Sequence, residues 1–236
     1  MIKNEAGEIV RQIYNGKLDN GFHRYKWNLR HTGATVFPNI ILEGGNPRRG
    51  PWAVPGKYIV ILEVNGAIKE QTFDLKKDPR LTDVSQEDLA AQFELAMKIR
   101  DAEDAANQSI INIRDLVGQL NALTPKNTSK ATHEKANAII QSLNEVAKNI
   151  YQVRNQSPKD KIAFPIKLND RLTGLRSRLE KGDGAPPASF YKVYDELSKE
   201  LDLHLTKLRD ILQNDLGALN KLLAQQKLPT IQPNKK

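Results

Sequence analysis

Residues 57–100 read KYIVILEVNGAIKEQTFDLKKDPRLTDVSQEDLAAQFELAMKIR, and the side-chain period changes inside this stretch. Tyr58, Val60, Leu62 and Val64 alternate with Ile59, Ile61 and Glu63, so one face of a strand is continuously apolar. Asn65-Gly66 follows, a dipeptide that suits both central positions of a type I′ turn. The chain returns through Phe73 and Leu75 between polar neighbours, which predicts a hairpin of 57–64 with 67–76. Asp78-Pro79 then disfavours helix at Asp78. Ser85-Gln86-Glu87-Asp88 has the form of a capping box, with Asp88 in the place of the usual Glu or Gln. Beyond it Leu95, Ile99, Ala102, Ala106, Ile110, Ile113, Val117 and Leu120 recur at three-four spacing, and Pro125 closes the segment. Strands followed by helices predict an α+β chain in two parts, divided near residue 80.

Upstream of the hairpin, His23, Tyr25, Trp27 and Leu29 fall on one face of an expected strand, and Gly7 to Ile13 form another. Met1-Ile2-Lys3 has the look of the last residues of a further strand. A sandwich needs about seven strands, so residues 1–80 predict an incomplete β-sandwich that is small or completed by something else.

Downstream, a second helix is expected from about Lys130 to Asn155, with Ile139, Leu143, Val146, Ile150 and Val153 as its stripe. A short third helix carries Leu168, Leu172, Leu175 and Leu179 and stops at Gly182. A fourth, from about Ser189 to Lys227, carries Val193, Leu197, Leu201, Leu208, Ile211, Leu212, Leu219, Leu222 and Leu223. At about 1.5 Å per residue the first and fourth are each about 57 Å long, and the short pair together match one of them. Residues 81–229 therefore predict an antiparallel bundle of about four helices. The long pair would be covered in part by the β region, or by the third helix extending beyond the second. Residues 230–236 read as a disordered basic tail.

Composition narrows the function. The chain has 236 residues, 39% hydrophobic and 27% charged, which argues against a disordered chain. The longest aliphatic run is Ile59 to Leu62, far short of the roughly 20 residues needed to span a bilayer. Residues 1–7 have no apolar core, so no signal peptide is expected. Cysteine is absent, which removes disulfides, thiolate metal sites and thiol nucleophiles but fits the cytosol and many exported bacterial proteins alike. The net charge of +8 divides into +5 over residues 1–80 and +3 over the rest. Only Arg48-Arg49, Lys76-Lys77 and Lys235-Lys236 cluster, which disfavours nucleic acid as a partner.

Catalytic patterns are missing. His23, His31, His133 and His204 are not paired at i, i+4 or within H-E-x-x-H, so no metal is expected. His204 reads as a bundle position with its ring nitrogens bonded at the rim, and His23 as a sheet residue. There is no nucleophile elbow and no phosphate loop, and Gly44-Gly45-Asn46-Pro47-Arg48-Arg49-Gly50 follows no dinucleotide fingerprint, so no cofactor is expected. A glycosidase needs two facing carboxylates. Glu43 beside the glycines is the weak candidate, while Glu70 and Asp74 read as solvated edge charges. The loop Gly44 to Gly56 stands out instead, with Arg48, Arg49, Trp52 and the prolines Pro47, Pro51 and Pro55. Arginine and tryptophan are enriched as interface anchors, and proline lowers the cost of ordering them. Arg48, Arg49 and Trp52 are thus the candidate interaction residues, the alternative being that Trp52 caps the sheet edge.

Two blocks of sequence carry a resemblance. Ala6-Gly7-Glu8-Ile9-Val10-Arg11, Gly21-Phe22-His23-Arg24-Tyr25-Lys26-Trp27 and Val54-Pro55-Gly56-Lys57-Tyr58 are similar to the Ig-like module of the flagellar hook-capping protein. The second block is Gly50 to Gly56, Lys77-Asp78-Pro79-Arg80, Asp88-Leu89, Gln92-Phe93, Ile99-Arg100 and Lys227-Leu228-Pro229, and together the two look like the C-terminal region of bacterial sortilin-like, BNR-repeat proteins often labelled glycosyl hydrolases. The resemblance implies an Ig-like β module at 1–80 followed by the helical bundle, preceded in the family by a large β-propeller. No Asp-box of the S-x-D-x-G-x-x-W type occurs in this sequence, and the family's supposed hydrolase activity would belong to the propeller, so no catalytic residue carries over. Such parents are typically exported, which would place this chain in the periplasm or outside the cell. The expectation is a non-enzymatic accessory module that docks onto a propeller-bearing or other protein. The rivals are a remnant of a glycan hydrolase and a binder of anionic polymers or surfaces through the basic β half.

Overall fold

The computed structural model of the chain describes residues 1–13, 19–123 and 128–233. It is a mixed α+β molecule: a small antiparallel sheet region followed by long helices.

The hairpin forms as β5 (Gly56–Val64) and β6 (Ala67–Leu75), in full register from Gly56 opposite Leu75 to Val64 opposite Ala67. Asn65 and Gly66 both have positive φ, 49° and 83°, as a type I′ turn requires. The stub at the start of the chain is a strand, β1 (Ile2–Asn4), which pairs antiparallel with β5 on one side. On its other side it pairs with β2 (Ile9–Arg11), giving the order β2-β1-β5-β6. Tyr58, Trp27 and Phe73 make the small core, with ring centroids 5.4–6.2 Å apart, alongside buried Ile2 and Val10. The Tyr58 hydroxyl donates to Val54 O at 2.6 Å.

The expected strand through His23, Tyr25, Trp27 and Leu29 does not form. Residues 22–28 carry no ladder, and Leu29 has φ +58°, which ends any extended run there. Trp27 still packs on Tyr58 and Phe73 from this irregular segment, and its indole N–H donates to Arg30 O at 2.9 Å. The strand comes later, as β3 (Arg30–Thr32), paired antiparallel with β4 (Arg49–Trp52). The segment 44–56, expected to be a loop throughout, therefore holds a strand at its centre.

The helices follow most of the predicted stripes; Val193, expected on the stripe of the fourth, is exposed. Helix α1 (Gln86–Asn121) opens with the capping box: Asp88 N–H donates to Ser85 Oγ at 3.0 Å and Ser85 N–H to Asp88 Oδ2 at 2.9 Å. Pro125, expected to close it, lies outside the described residues. Helix α2 (Lys130–Ile150) ends five residues before the expected Asn155. Tyr151 turns extended there, and its ring packs edge-on against Phe37 at 5.0 Å, so Val153 lies outside the helix and exposed. Helix α3 (Leu168–Leu179) is buried on most sides. The last segment runs as α4 (Ala188–Asp210), a π-helical turn (Ile211–Asp215) and α5 (Leu216–Gln225). The buried residues step by four, seven and three from Leu197 to Ile211, the spacing of an α-helical stripe, and then by five to Leu216. The wider π turn takes up the extra residue and keeps the stripe on one face.

Helix α1 packs on α2, α3, α4 and β4, so the two short helices and the sheet share its length. Antiparallel α1 and α3 are fixed by side chains that descend one helix as they rise the other: Gln92 to Leu179 O, Glu103 to Thr173 and Arg176, Asn107 to Asn169. Residues 230–233 were assigned to a disordered tail, yet Ile231 is buried and exchanges two 2.8 Å hydrogen bonds with the Asn220 side chain. Residues 234–236 lie outside the described residues. No helix among the described residues is long and apolar enough to cross a membrane.

Removing the Ser85 hydroxyl leaves the Asp88 N–H without its cap. Ser85→Ala is expected to cost about 1 kcal/mol, read as a lower urea midpoint with an unchanged slope.

Candidate functional site

Segment 33–46, between β3 and β4, crosses the helices as a strap, and polar side chains from α1 and α3 hold its backbone. Thr35 N–H donates to Asp104 Oδ1 at 2.6 Å, and Asn107 Nδ2 donates to Thr35 O at 2.9 Å. Phe37 enters the helical core, with the Arg114 guanidinium 4.5 Å above its ring. Glu43 and Gly44 donate their N–H groups to the Asp170 carboxylate at 2.6–3.1 Å. Gly44 lies against Gly174 of α3, where a Cβ would collide with Asp170 O and Gly174 N. At Gly44 the glycine cluster noted in the sequence permits close backbone approach to α3.

A buried charge network lies beneath the strap. Arg176, 1% exposed, donates through Nε to Glu103 Oε2 at 3.1 Å and through one terminal nitrogen to Glu180 Oε2 at 3.2 Å. Its other terminal nitrogen reaches Asn46 O at 3.3 Å. The Thr173 hydroxyl donates to the second oxygen of Glu103. Burial pushes the Glu103 carboxyl above its ordinary value, against the opposing pull of Arg176 and Thr173. Asp170 is likewise raised by burial, against the pull of the Glu43 and Gly44 N–H groups.

The network reaches the sheet through Glu180. Its Oε1 accepts from Arg30 at 3.1 Å and from Trp52 N–H at 3.0 Å. Arg30 also donates to Gly50 O at 2.7 Å, and its guanidinium lies 3.6 Å from the Trp52 ring centroid. Trp52 is thus fixed by its backbone and by a cation on one face, while the side chain remains 44% exposed. Beside it a mostly apolar cleft of about 190 Å³ is lined by Leu29, Trp52, Pro55, Leu81 and Phe93, with Lys76 and Lys77 at its edge. A polar cavity of about 250 Å³ lies on the arginine side of Glu180, lined by Arg30, Arg49, Arg176 and Ser177.

Of the candidate interaction residues, Trp52 lines the cleft and Arg49 the polar cavity. Arg48 is exposed and lines neither, its N–H donating to Asn46 Oδ1 at 3.0 Å. Sequence reasoning missed Glu103, Arg176, Glu180 and Arg30. The legible signal was Glu103 at i+4 from Ile99, on the apolar stripe, facing Thr173, Arg176 and Glu180 at helical spacing on α3. Glu43 is exposed and lines neither cavity, while both oxygens of nearby Asp170 are taken by backbone N–H groups. His204 is half-buried and bonds no described residue, so the expected rim hydrogen bonds are not made. Among the described residues no three His, Asp or Glu side chains converge as a metal ion would need. No family model matches the chain, and no curated protein or solved structure matches it either.

His31 stands at the same junction, its ring 4.7 Å from Phe93. Burial above all, then the Arg100 charge, lowers its pKa to about 4, with Glu8 opposing. The unfolded imidazole takes a proton near pH 6.5 while the folded one does not. His31 therefore adds stability that is present above pH 6.5 and is lost as pH falls towards 4. Urea midpoints are expected to drop across that window, less so in His31→Gln, with the His31 ring resonances titrating near pH 4. Separately, Arg176→Met is expected to cost about 3–5 kcal/mol by stranding Glu103. Adding Glu103→Leu should restore much of that, as urea unfolding of the two variants will show.

Proposed function

We propose that this chain is a non-catalytic interaction module that docks onto another protein or domain. The observation that carries this reading is a row of uncovered apolar side chains along β5. Tyr58, Val60, Leu62 and Val64 share one face of β5, since alternate residues of a strand point the same way. Tyr58 is buried, but Val60, Leu62 and Val64 are 40%, 55% and 51% exposed. A face that begins as core and ends in water invites a covering surface. On this reading the sheet region is an incomplete Ig-like sandwich, as the resemblance to sortilin-like, BNR-repeat proteins implies. The partner is then a propeller-bearing or other protein.

Trp52 supplies the anchor. Its ring is already ordered by Arg30 and Glu180, so docking loses little further side-chain freedom. The adjoining apolar cleft gives a partner side chain somewhere to go.

The test is affinity capture of the full chain from its source, followed by titration of the recovered partner. Trp52→Ala is expected to weaken binding by about 1–3 kcal/mol, and Leu62→Asp to weaken it further, both with unfolding midpoints near that of the parent chain. A partner bound equally by the parent chain and both variants would overturn the reading.

A further inference from the structure

The polar cavity beside Glu180 holds more positive charge than the fold uses. Arg176 is balanced by Glu103, and Arg30 by Glu180, at 3.1 Å in each case. Arg49 lines the same cavity and is exposed, and its guanidinium makes no hydrogen bond or ion pair with any described residue. Donors are also left over. Both side-chain hydrogen bonds of Arg30 leave from a single terminal nitrogen, so its Nε and its other terminal nitrogen are uncommitted. The Ser177 hydroxyl bonds no described residue. Gly45, at φ +158°, passes over Ser177 where any Cβ would meet the hydroxyl, so the absence of a side chain keeps that oxygen open to the cavity.

We propose that this cavity binds a small oxyanion, the carboxylate or phosphate group of a ligand. The guanidinium forks of Arg49 and Arg30 match the spacing of two oxyanion oxygens, and charge-assisted hydrogen bonds of this kind are the strong ones. One negative charge neutralises the surplus left after the two internal pairs. The cavity, about 250 Å³, exceeds the space such a group needs and leaves room for the water that would solvate its outer side. The electrostatics agree: burial lowers the Arg30 pKa most, Glu180 offsets this, and the charges of Arg176 and Arg49 lower it further, so an arriving anion relieves a crowded set of cations. This inference does not rest on the docking reading.

The test is calorimetric titration of the full chain with inorganic phosphate, and separately with acetate, at ionic strength held constant with chloride. Saturable one-to-one binding of at least one anion is expected, and the tighter of the two identifies the group recognised. Arg49→Gln should bind roughly ten-fold more weakly, the loss of one charge-assisted contact. Its unfolding midpoint should be unchanged, because the side chain it replaces has no partner. Ser177→Ala should weaken binding by a smaller factor. Arg48→Gln, which removes the adjacent charge but does not line the cavity, should bind as the parent chain does. Absence of saturable binding with both anions, undiminished binding by Arg49→Gln, or equal losses in Arg48→Gln and Arg49→Gln would each overturn the proposal.

Discussion

Arg176 is a cation almost wholly removed from water, and its environment has to compensate for that. Moving a guanidinium into the interior costs several kcal/mol unless anions and hydrogen-bond acceptors replace its hydration. Glu103 from α1, Glu180 at the end of α3 and the carbonyl of Asn46 from the strap supply them. Each lies on a different element, so satisfying one side chain fixes the relative positions of three. Glu180 then passes the constraint onward to Arg30 of β3 and the backbone of Trp52 in β4. The join between sheet and helices is therefore polar and directional, where a purely apolar contact would tolerate sliding. Buried charge of this kind adds little net stability, but it penalises every arrangement that leaves a member unpaired.

The strap obeys the same logic. A segment with little regular structure that lies on a helical core must find partners for its peptide groups. Here Asp104, Asn107 and Asp170 provide them at 2.6–3.1 Å, and glycines at 44 and 174 permit the approach. Residues 33–46 thus belong in space with the helices, although they precede the hairpin in sequence. The apolar cleft and the polar cavity lie on either side of Glu180, which lines both. The residue that closes the network also separates the two surfaces to which binding roles are given.

The strand part is small for what it carries. Its core is one aromatic cluster with Ile2 and Val10, while the far end of the hairpin shows its core-side face to water. The helical part is stabilised differently, by continuous leucine and isoleucine stripes.

The local pattern determined much of this molecule. The hairpin at 56–75, the Ser85 cap, the stripes of α1 and α3 and the change from strand to helix all follow from side-chain period and turn chemistry, which act within a few residues. What only the tertiary structure decided depends on partners distant in sequence. Tyr151 leaves its helix early because Phe37 and the strap offer its ring and hydroxyl a better environment. The strand expected through residues 23–29 gives way to β3 because its pairing partner, β4, lies where the sequence suggested a loop. Arg49 and Trp52 stood out by residue type, but only the fold sorts them from Arg48 and gives each a cavity. Glu103 and Arg176, 73 positions apart, looked like ordinary helical charges, and nothing in the local sequence tells a solvated charge from a buried one. That distinction is made when two helices pack and water is excluded between them.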